Sequence, residues 1–242
     1  MQAQTLYDFP ALYDRLMPPG PCEAFYGGLA APGSSVLDLA CGTGRLSVPL
    51  ARGGRSVTGL DVSPAMLAAA ERKAAAAGVA VDWVQGDMAD FDLGRRFDLV
   101  MISCNSLGHL LTDEALVSAF RAVRRHLAPG GVFAFDVVNP DAKGLLRPVK
   151  ERIKRAPAAS GVRLRETVDY DPERRIRGAR WRVLDGDGSE RTIRLELRQL
   201  FPDAWPPLLT VARLQLTNRF GDFDRAPFTA RSKLQVCLAA AA

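Results

Sequence analysis

The chain has 242 residues, of which 48% are apolar and 24% charged, the composition of an ordinary water-exposed globule with room for one sizeable core. No apolar run approaches the roughly 18 residues that a membrane span requires. The net charge of +5 is confined to residues 150–200, which hold 14 Lys/Arg against 9 Asp/Glu, while the remainder holds 18 against 18.

The N-terminus "MQAQTLYDFP" lacks the basic and apolar segments of a secretory signal, and the cysteines at 22, 41, 104 and 237 stand too far apart for a disulfide framework or a zinc site. A cytoplasmic protein with reduced thiols and no metal is expected. Up to about residue 140, short apolar runs alternate with amphipathic helices, the pattern of a parallel α/β sheet. The strand-like runs are "SVLDLA", "RSVTGLD", "VAVDWVQG", "FDLVMIS" and "GVFAFDVV". Ser63 and Pro64 open one helix and Gly78 stops it. Thr112 caps another, whose last turn carries Arg124, Arg125 and His126, so His126 is expected to offset the helix dipole. Pro49 falls inside the helix after the glycines and is expected to remove a hydrogen bond and bend it.

After "NPDAKGLLRP" the character changes. Residues 141–160 are basic and proline-containing and read as a loop with a short helix. Then "VRLRETVDY", "RIRGARWRVLD" and "RTIRLELRQLF" alternate at period two, which predicts a three-stranded antiparallel sheet. A short helix around "DAWPPLLTVA" and the strands "RLQLTNRFG" and "SKLQVCLA" follow. The expected architecture is a doubly wound, mostly parallel Rossmann-like α/β sheet formed by residues 1–140 and 201–242. Residues 141–200 form an inserted antiparallel β cap or a dimerisation segment.

The stretch "VLDLACGTGRLSVPLA", residues 36–51, runs a strand through glycines into a helix. It supplies Gly42 and Gly44 of a dinucleotide fingerprint but has Ser47 at the third glycine, and no lysine follows as in a triphosphate loop. Asp38, four residues before Gly42, is ill placed for a phosphate and well placed for a ligand bearing an ammonium group.

"LDLACGTGRL" resembles the first motif of the class I S-adenosylmethionine-dependent methyltransferases, and "GLDVSPAML", "WVQGDMADF", "FDLVMISCNSLGHL" and "LAPGGVFAFDV" continue the resemblance in order. It covers residues 1 to about 140, with "FGDFDRAPFTARS" a looser match. The resemblance implies S-adenosylmethionine as cofactor. Gly42 and Gly44 then let the backbone approach the methionyl part, and Asp38 lies near its ammonium. Asp61 accepts from the ribose hydroxyls and Asp87 from the adenine amine. Met88 offers backbone and an apolar face, Cys104 a carbonyl near the methionyl end, and Tyr13, in preference to Tyr7, folds over the cofactor. Cys41 and Cys104 read as small strand-end residues, since nothing nearby in sequence marks a depressed thiol pKa.

The loop "CNSLGHL" is similar to that of amino-sugar N-methyltransferases, which makes His109 the candidate base, with packing at the next helix as its plainer role. Methyl transfer to a small-molecule acceptor, in line and in a dry site, is the function this implies. A nucleic-acid methyltransferase using the Arg-rich insertion is the alternative, disfavoured because few aromatics interleave its arginines. A non-catalytic S-adenosylmethionine-binding protein and an NAD-dependent oxidoreductase are the others. No membrane partner is expected. The insertion either roofs the acceptor pocket or joins two copies as a homodimer, with Trp181 as wall or anchor.

Overall fold

The computed structural model describes residues 4–147, 149–154 and 156–242; Arg155, one of the 14 basic residues of the insertion, lies outside them. Seven strands form one sheet. In chain order they are β1 (Ser35–Leu39), β2 (Ser56–Asp61), β3 (Asp82–Gln85), β4 (Phe97–Ile102), β5 (Leu127–Val138), β10 (Leu214–Phe220) and β11 (Leu234–Ala241). Their spatial order is β10-β11-β5-β4-β1-β2-β3. The first five pair in parallel and β11 runs antiparallel to both neighbours. Both faces of β1 and β4 are covered, which is why they read as unbroken apolar runs rather than alternating ones. The direction of winding reverses between β1 and β4, and in such sheets a crevice opens at the carboxyl ends of the strands there.

The helices α1 (Pro10–Leu16), α2 (Cys22–Gly27), α3 (Ser47–Arg52), α4 (Pro64–Ala76), α5 (Asp113–His126), α6 (Ala142–Leu145) and α7 (Pro206–Val211) complete the chain. Ser63 Oγ accepts from Met66 N at 3.3 Å and Thr112 Oγ1 from Ala115 N at 3.2 Å, so both anticipated caps are made. Two expectations change. Because α3 begins at Ser47, Pro49 sits in its first turn, where the N–H has no partner within the helix in any case, and no hydrogen bond is lost. His126 is buried: its Nδ1 lies 2.7 Å from Ala122 O and its Nε2 accepts from Leu93 N at 2.9 Å. Its work is to bridge the end of α5 to the 93 loop rather than to offset a dipole.

The insertion forms a second sheet of four strands, not three: β6 (Val149–Lys154), β7 (Arg163–Asp171), β8 (Ile176–Leu184) and β9 (Glu190–Arg198), in that order and antiparallel throughout. The extra strand is β6, an edge strand whose sequence "VKERIK" is mostly charged and gave no strand signal. Leu6, Leu12 and Leu16 pack into one apolar cluster with Leu164, Trp181 and Val183 of this sheet. The N-terminal segment is therefore the layer between cap and core. Arg198 of β9 binds Asp113 at the start of α5 at 2.5 Å, and Arg15 binds Asp185 at 2.8 Å. No helix among the described residues is long and apolar enough to cross a membrane.

Candidate active site

A cleft of about 760 Å³ occupies the crevice. The core lines it with Ala40, Gly42, Asp61, Asp87 and Met88, the N-terminal segment with Tyr7 and Tyr13, the loop after β4 with Cys104 and His109, and the cap with Lys154, Arg177 and Trp181.

The turn after β1 is left-handed at Ala40, Gly42 and Gly44. A Cβ at Gly42 would meet only the Tyr13 hydroxyl, at 3.9 Å, so the bare backbone faces the cleft. A Cβ at Gly44 would lie 2.8 Å from the Trp83 ring and 3.1 Å from Ala70. Gly44 is thus required by packing and by its φ of 70°, and it does not line the cleft. Thr43 between them is buried; its hydroxyl donates to Asp14 Oδ1 at 2.6 Å and accepts from Lys73 Nζ at 2.8 Å, which holds α1, and Tyr13 with it, over the turn.

Asp61, at the end of β2, accepts from Gly42 N at 2.7 Å and from Ser63 N at 2.9 Å. Burial pushes its pKa upward, against those bonds. Asp38 lies deeper, with Arg45, in a small recess walled by Tyr13 and Cys104, residues it shares with the cleft. Its Oδ2 accepts from Ser47 Oγ at 2.6 Å, while Oδ1 is buried without a partner. Burial raises its pKa to about 7. Arg45 Nε, in the same recess, is likewise buried without a partner. An unpaired carboxylate oxygen and an unpaired guanidinium N–H in one recess are rare in a folded interior. In charge they complement an α-amino carboxylate, the terminus that S-adenosylmethionine presents.

The loop after β4 is strained. Cys104 and Asn105 take successive left-handed conformations, φ 59° and 62°, which non-glycine residues adopt seldom. Asp136 of β5 holds them: its carboxylate accepts from Cys104 N at 3.0 Å, Asn105 N at 3.3 Å and Tyr26 OH at 2.7 Å. Asn105 Oδ1 in turn accepts from Val138 N at 2.9 Å. The short 3-10 turn that follows, Ser106–His109, delivers His109 to the cleft wall. His109 Nε2 lies 2.6 Å from the Tyr7 hydroxyl, and the two rings meet edge to face at 5.2 Å. Burial lowers the His109 pKa, keeping the imidazole neutral and able to accept a proton. Burial raises Tyr7 and pushes Tyr13 up to about 12, so both phenols stay protonated.

Of the residues singled out in the sequence, Tyr13, Gly42, Asp61, Asp87, Met88, Cys104 and His109 line the cleft, and Asp38 lines the recess. Asp87 is exposed and accepts from Ala89 N at 2.8 Å, whereas Met88 is buried. Arg45 carries no signal in the sequence, since an arginine in the turn before a helix is ordinary. Asp136 had one: an acid inside the apolar run "FAFDVV" must be paired if it is buried. The Cys104 thiol is not depressed: its hydrogen bond with Cys22 and its burial raise its pKa. The Arg45 guanidinium donates to this thiol and, at 3.4 Å, to that of Cys22, whose pKa is drawn down by Cys104 first and by Arg45 after it. No cluster of metal-ligating side chains occurs among the described residues.

Residues 36–131 match the family model described as "Methyltransferase domain". The chain spans about half the length of the curated relatives it matches. It is 37% identical to YqeM of Bacillus subtilis over 133 residues, 53% of each chain. It is 40% identical over 107 residues to the dTDP-3-amino-3,4,6-trideoxy-alpha-D-glucopyranose N,N-dimethyltransferase of Streptomyces venezuelae, covering 44% of this chain and 42% of that one. Among solved structures, the CcbJ methyltransferase of Streptomyces caelestis superposes with a TM-score of 0.85 at 30% identity over 98% of both chains.

Proposed function

Because the chain belongs to the class I S-adenosylmethionine-dependent methyltransferase family, we propose that it N-methylates a small-molecule amine by in-line transfer, with Tyr7 and His109 relaying the proton that the amine must lose. Bound S-adenosylmethionine supplies an electrophilic methyl group. What the chain supplies is binding, alignment and a route for a proton. Asp38 and Arg45 take the ammonium and carboxylate ends in the recess. The lone pairs that Asp61 has left beyond Gly42 N and Ser63 N take ribose hydroxyls, Asp87 takes the adenine amine, and Met88 gives the ring an apolar face. Tyr13 closes over the turn.

The observation that carries the reading is the 2.6 Å contact between Tyr7 and His109 at the cleft wall. An amine that arrives protonated has no lone pair to attack with. Its proton passes to the Tyr7 oxygen as the phenol proton passes to His109 Nε2, so tyrosine is neutral before and after and the imidazole ends charged. The N-methyltransferase named among the relatives supports nitrogen as the acceptor atom. Four free thiols, among them the exposed Cys104, support a reducing compartment, the cytoplasm. The division into a core of residues 1–140 and 201–242 with an inserted cap remains our reading, and the cap serves as the acceptor's roof. Its edge strands leave a homodimer open as a further use.

His109→Ala is expected to cut turnover about a hundredfold, the usual effect of losing acid–base help, while leaving affinity for S-adenosylhomocysteine within a few-fold. Protonated His109 cannot accept, so wild-type turnover falls on the acid side, with its midpoint below the ordinary imidazole value, and His109→Ala lacks that limb. Turnover of the variant near the wild-type rate, with the acid limb intact, contradicts the relay.

A further inference from the structure

The excess positive charge of the insertion divides into two populations. Most of its arginines, Arg163, Arg165, Arg180 and Arg182 among them, are exposed. Lys154 and Arg177 instead line the cleft, together with Trp181 and His109. Both are anchored on Glu166 of β7, which is fully buried. Glu166 Oε1 accepts from Trp181 Nε1 at 2.9 Å, from Arg177 at 3.0 Å and from Lys154 Nζ at 3.3 Å; its Oε2 accepts from Arg152 Nε at 2.9 Å and from a second Arg152 nitrogen at 2.6 Å. Burial alone would raise its pKa, but these partners outweigh burial and hold it at about 2.

One carboxylate neutralises one cation, and here three converge on it, leaving the cluster with two positive charges in excess. A carboxylate offers about four acceptor sites, and five donors already occupy them. Glu166 has no further capacity, whereas Lys154 uses one of its three N–H groups on it and Arg177 one of its five. Lys154 is also fixed against the Trp181 ring, 4.5 Å from its centroid. The acids that line the cleft, Asp8, Asp61 and Asp87, belong to the N-terminal segment and the core; the cap contributes none. The roof is therefore a rigid cationic surface with spare donors, and its side chains have already lost the rotamer freedom that binding would otherwise remove.

We propose that the acceptor is an anionic amine: it carries a phosphate or carboxylate group that Lys154 and Arg177 bind at the roof, with its amino group at the Tyr7–His109 wall. This rests on the methyltransferase reading above and adds the substrate class. A bidentate guanidinium with an adjacent ammonium is the donor set that oxyanions select.

The test is a calorimetric titration of the full chain with pyrophosphate and, separately, with succinate, each with and without saturating S-adenosylhomocysteine. Lys154→Gln is the main variant, because Arg152 and Arg177 still balance Glu166 and the cap keeps its fold, to be verified by its melting temperature. Arg165→Gln, on the exposed face, is the control. The expected result is wild-type binding of at least one probe, about tenfold weaker in Lys154→Gln and unchanged in Arg165→Gln, with S-adenosylhomocysteine affinity equal in all three. Tighter pyrophosphate assigns a phosphate and tighter succinate a carboxylate. Binding of neither probe, or equal loss in the two variants, overturns the proposal. Failure to bind S-adenosylhomocysteine counts against the underlying reading instead, and the titrations without it still report on the roof.

Discussion

Asp38 shows how one side chain can serve binding at the expense of stability. Its Oδ1 has no partner, and burial raises its pKa to about 7. A carboxyl whose pKa rises on folding stabilises the fold only while protonated, so its contribution is lost as pH rises through about 7. Asp38→Asn is therefore expected to melt higher than wild type at pH 8, with the difference shrinking as pH falls from about 7 and vanishing only below the ordinary value of 3.8, where folded and unfolded chains are both protonated. A ligand ammonium needs the ionised form, so wild-type affinity for S-adenosylhomocysteine is expected to fall below pH 7 with proton release on binding, and Asp38→Asn to lose both the affinity and the release. Calorimetry in buffers of different ionisation heat reads this directly; an Asp38→Asn variant that binds as wild type does at every pH contradicts it. The sequence carried the acid and its distance from Gly42. It did not carry Arg45, whose role exists only because the turn before α3 brings it to the Cys104 loop at the end of β4.

The elements were legible in proportion to their burial. The central parallel strands β1 and β4 announced themselves because both faces are covered, and α4 and α5 because Ser63 and Thr112 make the anticipated caps. The polar edge strand β6 did not, nor did the packing of residues 6–16 under the cap, since long-range contacts leave no period in a sequence. Nor could the loop after β4 be read. Nothing in "CNSLGHL" shows that Cys104 and Asn105 are both left-handed, because the group that makes this tolerable is Asp136, some thirty residues on. Asp136→Ala would leave Cys104 N without a partner and the Tyr26 hydroxyl with only a long contact to Ile102 O at 3.5 Å, while Asn105 N keeps the Asp136 backbone carbonyl at 3.2 Å. We expect it to lower unfolding free energy by about 3 kcal/mol or more, measured by denaturant titration. A loss under about 1 kcal/mol would mean that the loop holds its shape without the carboxylate.

At the scale of the molecule, the parts we propose come from three places: a cofactor end at the carboxyl edges of β1, β2 and β3, a proton route shared between the N-terminal segment and the β4 loop, and a charged roof from the insertion. Ordered motifs exposed the first, and net charge hinted at the last without saying which cations face inward. The proton route, Tyr7 with His109, joins residues 102 positions apart and needed the fold to be seen. All three presuppose that the cleft holds the methyl donor by these side chains. The most direct test is a titration with S-adenosylhomocysteine, comparing wild type with Asp61→Ala. The account predicts one site of roughly micromolar affinity in the wild type and at least about a tenfold loss in the variant, whose melting temperature confirms its fold. No binding by the wild type, or equal affinity in a folded Asp61→Ala, would contradict it.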